Sequence, residues 1–130
     1  MSEARIQKCD FSVLSFMAYP AKKEGVGVPR KESPREVWFG VFEDGRPIGM
    51  GALLQMNLGR SRIKGIYVQP KHRGVGHGEY LVRHLIHYAA DGLHCSYIEA
   101  FAYNPEFYEK LGFNRHNMRP NGAVKVSKTL

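Results

Sequence analysis

The sequence predicts a mixed α/β domain in which a mostly antiparallel central sheet contains one parallel pair of strands. Residues 36–68 hold three strand-like segments separated only by short turns, which is typical of an antiparallel meander. Residues 79–90 then repeat their apolar side chains with a helical period, and residues 96–102 return to strand-like composition. A strand, a helix and a strand in succession favour a parallel pair joined by a right-handed crossover.

Length and composition limit how the chain is organised. Its 130 residues suffice for one hydrophobic core, so we expect residues 1–130 to form a single domain. No apolar run approaches the roughly 18 residues of a membrane span, and the first five residues lack the apolar region of a signal peptide. The 2 cysteines do not make a disulfide framework. Together these features predict a cytoplasmic protein.

The chain is basic, with 19 Lys and Arg residues against 12 Asp and Glu and a formal net charge of +7. A basic field attracts anions, so a nucleotide cofactor, a nucleic acid and an acidic protein surface all fit it, as does simple solubility. The Lys and Arg residues are scattered and no nucleic-acid-binding motif is present. A nucleic-acid-binding domain is therefore a less favoured alternative.

The elements follow from composition and turn residues. Asp10 is a candidate N-cap for a helix that continues to about Tyr19, and residues 20–35, with three prolines and two glycines, predict an exposed loop. Asp44-Gly45 and Asn121-Gly122 are hairpin signals, and Gly92 is a candidate cap at the end of the helix over residues 79–90. The predicted strands cover residues 6–8, 36–42, 47–56, 62–68, 96–102, 113–118 and 123–128, and a short helix covers residues 105–111.

The most informative segment is Arg73-Gly74-Val75-Gly76-His77-Gly78, which lies between a predicted strand and a predicted helix. Alternate glycines permit positive φ and let a ligand approach the backbone closely. The N–H groups at a helix start and the helix dipole then favour an anion, and a pyrophosphate fits such a turn. The Arg73 guanidinium adds a full positive charge beside it.

Other phosphate-binding turns and a plain tight turn are the alternatives. A Walker A loop ends in Gly-Lys-Ser/Thr, whereas this turn ends in Gly78-Glu79-Tyr80, which excludes it. A dinucleotide fold needs Gly-x-Gly-x-x-Gly, and here Glu79 takes the place of the last glycine, although Glu99 stands where a ribose-binding acid would. The antiparallel meander upstream argues against this second alternative.

The same six residues resemble the Gln/Arg-x-x-Gly-x-Gly/Ala motif that opens the central helix of the GNAT superfamily. Phe107-Tyr108-Glu109-Lys110-Leu111-Gly112-Phe113 is similar to a second block of that family, in the right order and about 30 residues downstream. The resemblance covers the chain well from Arg35 to its end. It implies a GNAT-like fold whose parallel pair is splayed to hold an acyl-CoA. It further implies an N-acetyltransferase that moves an acetyl group from acetyl-CoA to a primary amine and uses no metal.

The resemblance also implies roles for particular residues. The strand before the glycine turn would bind the pantetheine and the acyl carbonyl through main-chain groups, and Asn104 would bond the pantetheine arm. Tyr108 would contact the coenzyme and act as the general acid that protonates the departing thiolate, a role that a phenol near the sulfur can fill. The implied coenzyme-binding residues are Ile66, Tyr67, Val68, Arg73, Gly74, Val75, Gly76, His77, Gly78, Asn104 and Tyr108.

The general base and the acceptor are less constrained. Some family members use a Glu on the strand before the glycine turn, where this chain has Arg62 and Lys64. Glu99 shares a strand face with Tyr97 and Phe101 and is the candidate substitute, with a chain of water molecules as the alternative. The short N-terminal region predicts an open groove for a small amine or a peptide, and its basic loop favours an acceptor with a carboxylate. A homodimer is implied by resemblance, and a non-catalytic acyl-CoA-binding module remains an alternative.

Overall fold

A computed structural model describes residues 3–28 and 33–130 of the chain. Its strands are β1 (Arg5–Lys8), β2 (Glu36–Glu43), β3 (Arg46–Met56), β4 (Arg60–Val68), β5 (Tyr97–Ala102), β6 (Asn114–Met118) and β7 (Val124–Thr129). Its α-helices are α1 (Phe11–Leu14), α2 (Ala18–Lys23), α3 (His77–His87) and α4 (Pro105–Glu109). None of the helices within these ranges is long and apolar enough to cross a membrane.

The seven strands form one sheet in the order β1-β2-β3-β4-β5-β7-β6. Every neighbouring pair is antiparallel except β4 and β5, which are parallel. The predicted meander and the predicted β-α-β unit are therefore both confirmed. Helix α3 makes the crossover and packs on β3 and β4.

The predicted N-terminal helix is wrong in its extent. A 3-10 turn over Ser15–Met17 interrupts it, and α2 then continues through Pro20 to Lys23, inside the predicted loop. Pro20 is tolerated because it is the third residue of a new helix, where its missing N–H has no bond within α2 to lose. Residues 29–32 of that loop lie outside the described residues.

The end of α3 also differs from the prediction. The α-helix stops at His87, and a π-helical turn over Tyr88–Gly92 replaces the predicted last turn, with the Leu93 N–H donating to the Tyr88 carbonyl at 3.0 Å. The other predicted elements are present, with ends that shift by one or two residues.

Two layers of apolar side chains cover the two faces of the sheet. On one face α3 and α4 contribute Leu81, Leu85 and Tyr108 to a cluster with β2, β3, β4, β5 and β7. On the other face α1 and α2 pack over Trp38 and Met50, so they cover only the part of the sheet built from β2, β3 and β4. The outward face of β5 is left outside this second cluster.

Two features separate β4 from β5. Their parallel pairing spans only Arg60 to Arg62 on β4, and the last registered pair is Arg62 with Glu99. Just beyond, the register of β3 against β4 shifts between Met50 and Ala52, and Gly65 has a φ of 67°. Such a bulge bends its strand and raises its twist, so the second half of β4 turns away from β5.

Candidate active site

A cleft of about 690 Å³ opens where β4 and β5 separate. It is lined by the second half of β4, the end of β5, the glycine-rich turn, the first turns of α4 and the residues after α2. Of the eleven predicted coenzyme-binding residues it brings together Ile66, Tyr67, Val68, Arg73, Gly74, Gly76, His77, Gly78, Asn104 and Tyr108. Val75 is not among the lining residues, and its side chain is exposed.

The glycine-rich turn has the backbone geometry of an anion site. Gly74 and Gly76 have φ values of 82° and 92°, a region that side chains other than glycine adopt only with strain. No atom lies within 4 Å of the place where a Cβ would stand on either residue, so the space beside the turn is open. Gly76 precedes α3, and no side chain caps the helix start. The first N–H groups of α3 are therefore available to an anion.

Arg73 ties the turn to two other elements. Its Nε donates to the Val68 carbonyl at 2.7 Å, and its terminal nitrogen pairs with Glu24, just after α2, at 2.7 Å. Its guanidinium also lies 5.3 Å from the centre of the Tyr67 ring. The hydrogen bond to Glu24 raises the pKa of Arg73, so the arginine keeps its charge beside the turn.

The two histidines of the turn face the β2–β3 hairpin. His72 Nδ1 lies 3.7 Å from one carboxylate oxygen of Glu43, and His77 Nε2 lies 3.9 Å from the other. If protonated, each ring would add positive charge beside Gly74 and Gly76 while pairing with Glu43.

Tyr108 is positioned by two other rings of the α4 segment. Its side chain is buried, with ring centres 5.1 Å from Phe107 and 5.4 Å from Phe113 in edge-on geometry. The hydroxyl has no hydrogen-bond partner within residues 3–28 and 33–130 and is not among the fully buried polar atoms, and Tyr108 lines the cleft. Burial raises the pKa of Tyr108 to about 12, and the phenol therefore holds its proton at neutral pH.

Asn104 and Phe107 close one wall of the cleft. Asn104 is the residue before α4, and its carbonyl accepts the Phe107 N–H at 3.1 Å, whereas its side chain makes no capping bond. The Phe107 ring lies 3.8 Å from the place where a Cβ of Gly78 would stand. The two sequence blocks that carry the resemblance thus meet across the cleft.

Glu99 does not line this cleft. Its side chain is 3% exposed and accepts hydrogen bonds from Arg62 at 2.8 Å and Arg60 at 3.3 Å, with Lys125 at 3.9 Å. A carboxylate in this position neutralises the surrounding cations, and taking up a proton would weaken each of these contacts. The geometry therefore argues against the predicted role of Glu99 as the general base.

Several lining residues were not predicted. Gly25 and Gly27 follow α2, Lys64 lies in the middle of β4, and Phe101 and Tyr103 lie at the end of β5. The sequence does contain a signal for Gly25, because Lys22-Lys23-Glu24-Gly25 is typical of a helix end. In the structure Gly25 has the positive φ, 83°, that such an end favours. Alternation along β5 already put Phe101 on the same face as Glu99.

Lys64 pairs with Glu36, whose side chain is 3% exposed. Burial alone would raise the pKa of Glu36. The hydrogen bond from Lys64, together with those from the Ser33 N–H and the Trp38 indole, outweighs burial, so the pKa lies below its ordinary value. Glu36 is thus a fixed negative charge that offsets Lys64.

Comparisons with known proteins agree with this geometry. The model of the acetyltransferase (GNAT) family matches residues 5–113. No curated protein matches the sequence.

Three solved structures share the fold. N-acetylglutamate synthase from Neisseria gonorrhoeae, complexed with coenzyme A and N-acetyl-glutamate, has a TM-score of 0.81 at 20% identity, over 100% of this chain and 36% of that one. The dodecameric spermidine N-acetyltransferase from Vibrio cholerae has a TM-score of 0.79 at 18% identity, over 97% and 93% of the two chains. The IAA acetyltransferase from Bacillus cereus has a TM-score of 0.72 at 19% identity, over 98% and 100%.

Proposed function

The chain belongs to the GNAT acetyltransferase family, and from this premise we propose that its cleft binds acetyl-CoA and directs the acetyl group to a primary amine of a small molecule or peptide. One observation carries the assignment to this cleft. The open glycine turn and Tyr108, held on different elements, line the same space between two separated strands. The family resemblance inferred from the two sequence blocks is confirmed by the family match.

The residues present fit the coenzyme. The space beside Gly74 and Gly76 is open and leaves room for the pyrophosphate against the start of α3. Beyond Arg62 the backbone of β4 has no parallel partner, so its N–H and C=O groups on the side of β5 can bond the pantetheine arm. The unbonded side chain of Asn104 can add one more hydrogen bond from the opposite wall.

Tyr108 supplies the acid of the proposed reaction. Bound acetyl-CoA contributes a thioester, which is open to attack by an unprotonated amine. The Tyr108 hydroxyl, protonated at neutral pH, donates its proton to the departing sulfur. Since Glu99 is paired with Arg60 and Arg62 and does not line the cleft, we assign removal of the amine proton to water rather than to this carboxylate.

The acceptor is not fixed by the fold. The structural neighbours include an enzyme named for N-acetylglutamate and one named for spermidine, whose charges are opposite. Specificity must therefore reside in this chain's own side chains. We also propose that residues 1–130 act as one domain, which the length of the chain supports, and that they form a homodimer, which rests on the resemblance alone.

Replacement of Tyr108 by Phe tests the proposal. The change removes only the hydroxyl, so kcat for an amine acceptor should fall by about 100-fold while the affinity for acetyl-CoA stays unchanged. Tyr103→Phe is the matched control, because Tyr103 also lines the cleft but is exposed. An unchanged rate in Tyr108→Phe would remove the general-acid assignment. Acetyl-CoA binding without acetylation of any amine would instead indicate a non-catalytic acyl-CoA-binding module.

A further inference from the structure

The part of the sheet around β5 is not covered by the apolar cluster under α1 and α2. On β5 the side chains of Ile98, Ala100 and Ala102 are buried on the face of α3 and α4, so Tyr97, Glu99 and Phe101 project from the opposite face. The apolar cluster under α1 and α2 contains none of these three side chains. An acceptor can therefore reach the gap between β4 and β5 from the Phe101 side, while Tyr108 stands on the helix side.

Two guanidinium groups border Phe101. That of Arg62 lies 4.9 Å from the ring centre and that of Arg119 lies 4.4 Å from it. Arg62 belongs to β4, whereas Arg119 follows β6, and these elements lie on opposite sides of β5 in the sheet. Phe101 itself lines the cleft, so both guanidinium groups lie against a lining residue, although neither arginine lines the cleft itself.

The charges on this face do not balance. Glu99 is the carboxylate that neutralises Arg60, Arg62 and Lys125 together. Arg119 has no carboxylate partner within residues 3–28 and 33–130, and its guanidinium lies over the Phe101 ring. Arg62 donates to Glu99 through Nε alone, which leaves its two terminal nitrogens available.

We propose that the acceptor is a small amine that carries a carboxylate, bound at the cleft mouth by Arg119 and Arg62 on either side of Phe101. The inference rests on the proposed function and names the acceptor class for the same site. Guanidinium groups bind carboxylates with paired, charge-assisted hydrogen bonds, and the Phe101 ring supplies an apolar contact for the rest of the acceptor. The same positive surplus repels a polyamine, whose remaining ammonium groups would face Arg119.

The experiment compares acceptors that differ only in the carboxylate. L-Glutamate, L-phenylalanine and β-alanine are each tested beside the compound in which every carboxylate is an amide, and spermidine is added as a polycation. The release of coenzyme A gives kcat/KM, expressed per unprotonated amine because amidation changes the basicity of the amine. At least one carboxylate should be preferred over its amide by about tenfold or more, the factor expected for one charge-assisted hydrogen bond.

Variants of Arg119 test whether this residue causes the preference for acceptors with a carboxylate. Arg119→Gln should bring the ratio of carboxylate to amide close to one, chiefly through KM, and Arg119→Lys should retain part of it. Arg5→Gln is the matched control, because it removes the same charge from β1 at the far side of the sheet. Its ratio should equal that of the unmodified protein.

The outcomes are distinguishable. Equal rates for carboxylates and amides, a preference for spermidine, or a ratio that survives Arg119→Gln would each overturn the inference and leave the acetyltransferase proposal intact. Binding of acetyl-CoA without acetylation of any carboxylate would overturn it as well. Failure to bind acetyl-CoA would overturn the proposed function itself.

Discussion

Arg62 and Glu99 are the last registered pair of the two parallel strands, and their side chains are joined by a 2.8 Å ion pair at the point where the strands separate. This pair marks the end of the hydrogen-bonded part of β4 and β5, and the cleft begins just beyond it. Glu99 thus connects the geometry of the sheet with the charges at the cleft mouth.

Replacement of Glu99 by Gln should affect stability and acceptor binding more than chemistry. The amide keeps the shape but cannot neutralise Arg60 and Arg62, so the free energy of unfolding should fall by about 1–3 kcal/mol. We expect KM for the acceptor to change while kcat stays within about tenfold, less than the loss typical of a missing general base. Chemical denaturation and steady-state kinetics measure the two effects. A large loss of kcat at unchanged stability would restore Glu99 as the base.

The stability of the protein should fall in alkaline solution because of Tyr108. Its pKa is raised from 10.0 to about 12, so the protonated phenol stabilises the folded state. This contribution is fully present below pH 10 and is lost as the pH rises toward 12; a shift of two pH units corresponds to about 3 kcal/mol. Tyr108→Phe should flatten that part of the curve of unfolding free energy against pH. Identical curves for both proteins would contradict the burial of this phenol.

Gly65 should tolerate a methyl group poorly. An alanine there would have a φ near 67° and place its Cβ 2.7 Å from the Trp38 ring, which is fully buried. Gly45 has a φ of 77° and nothing within 4 Å of its Cβ position, so Gly45→Ala carries the strain without the clash. Gly65→Ala should therefore lose about 1–3 kcal/mol more than Gly45→Ala in a denaturation experiment. Equal losses of unfolding free energy in the two variants would show that the Trp38 ring can move away from the new methyl group. The bulge at Gly65 would then be less constrained than the packing indicates.

The sequence was most informative where local rules decide the structure. The turn at Asp44-Gly45 and the change from strand to helical period after Gly78 gave the meander and the crossover, because each depends on neighbouring residues. Pro20 made the segment after Tyr19 resemble a loop, since proline ends a helix interior but is accepted in the first turn of a new helix. Only the preceding 3-10 turn makes Pro20 a first-turn residue.

The cleft was predictable in part. Arg73 to Gly78 and Tyr108 lie in contiguous motifs, and the structure brings all of them except Val75 to one space. The surroundings of Glu99 depend on which strands become neighbours, because Arg60 and Arg62 come from β4 and Lys125 from β7. Strand alternation put Glu99 on the correct face, but no local pattern showed that three cations would meet it there.

The central claim is that the glycine turn holds the coenzyme, and calorimetric titration with acetyl-CoA tests it most directly. The unmodified protein should bind, and Gly76→Ala should bind at least about tenfold more weakly, because a Cβ would enter the open space of the cradle and the residue has a φ of 92°. Gly59→Ala, with a φ of 69° and only ordinary contacts at the opposite end of β4, should bind as the unmodified protein does. Absence of binding to acetyl-CoA, or equal affinity in Gly76→Ala, would contradict the assignment of the turn.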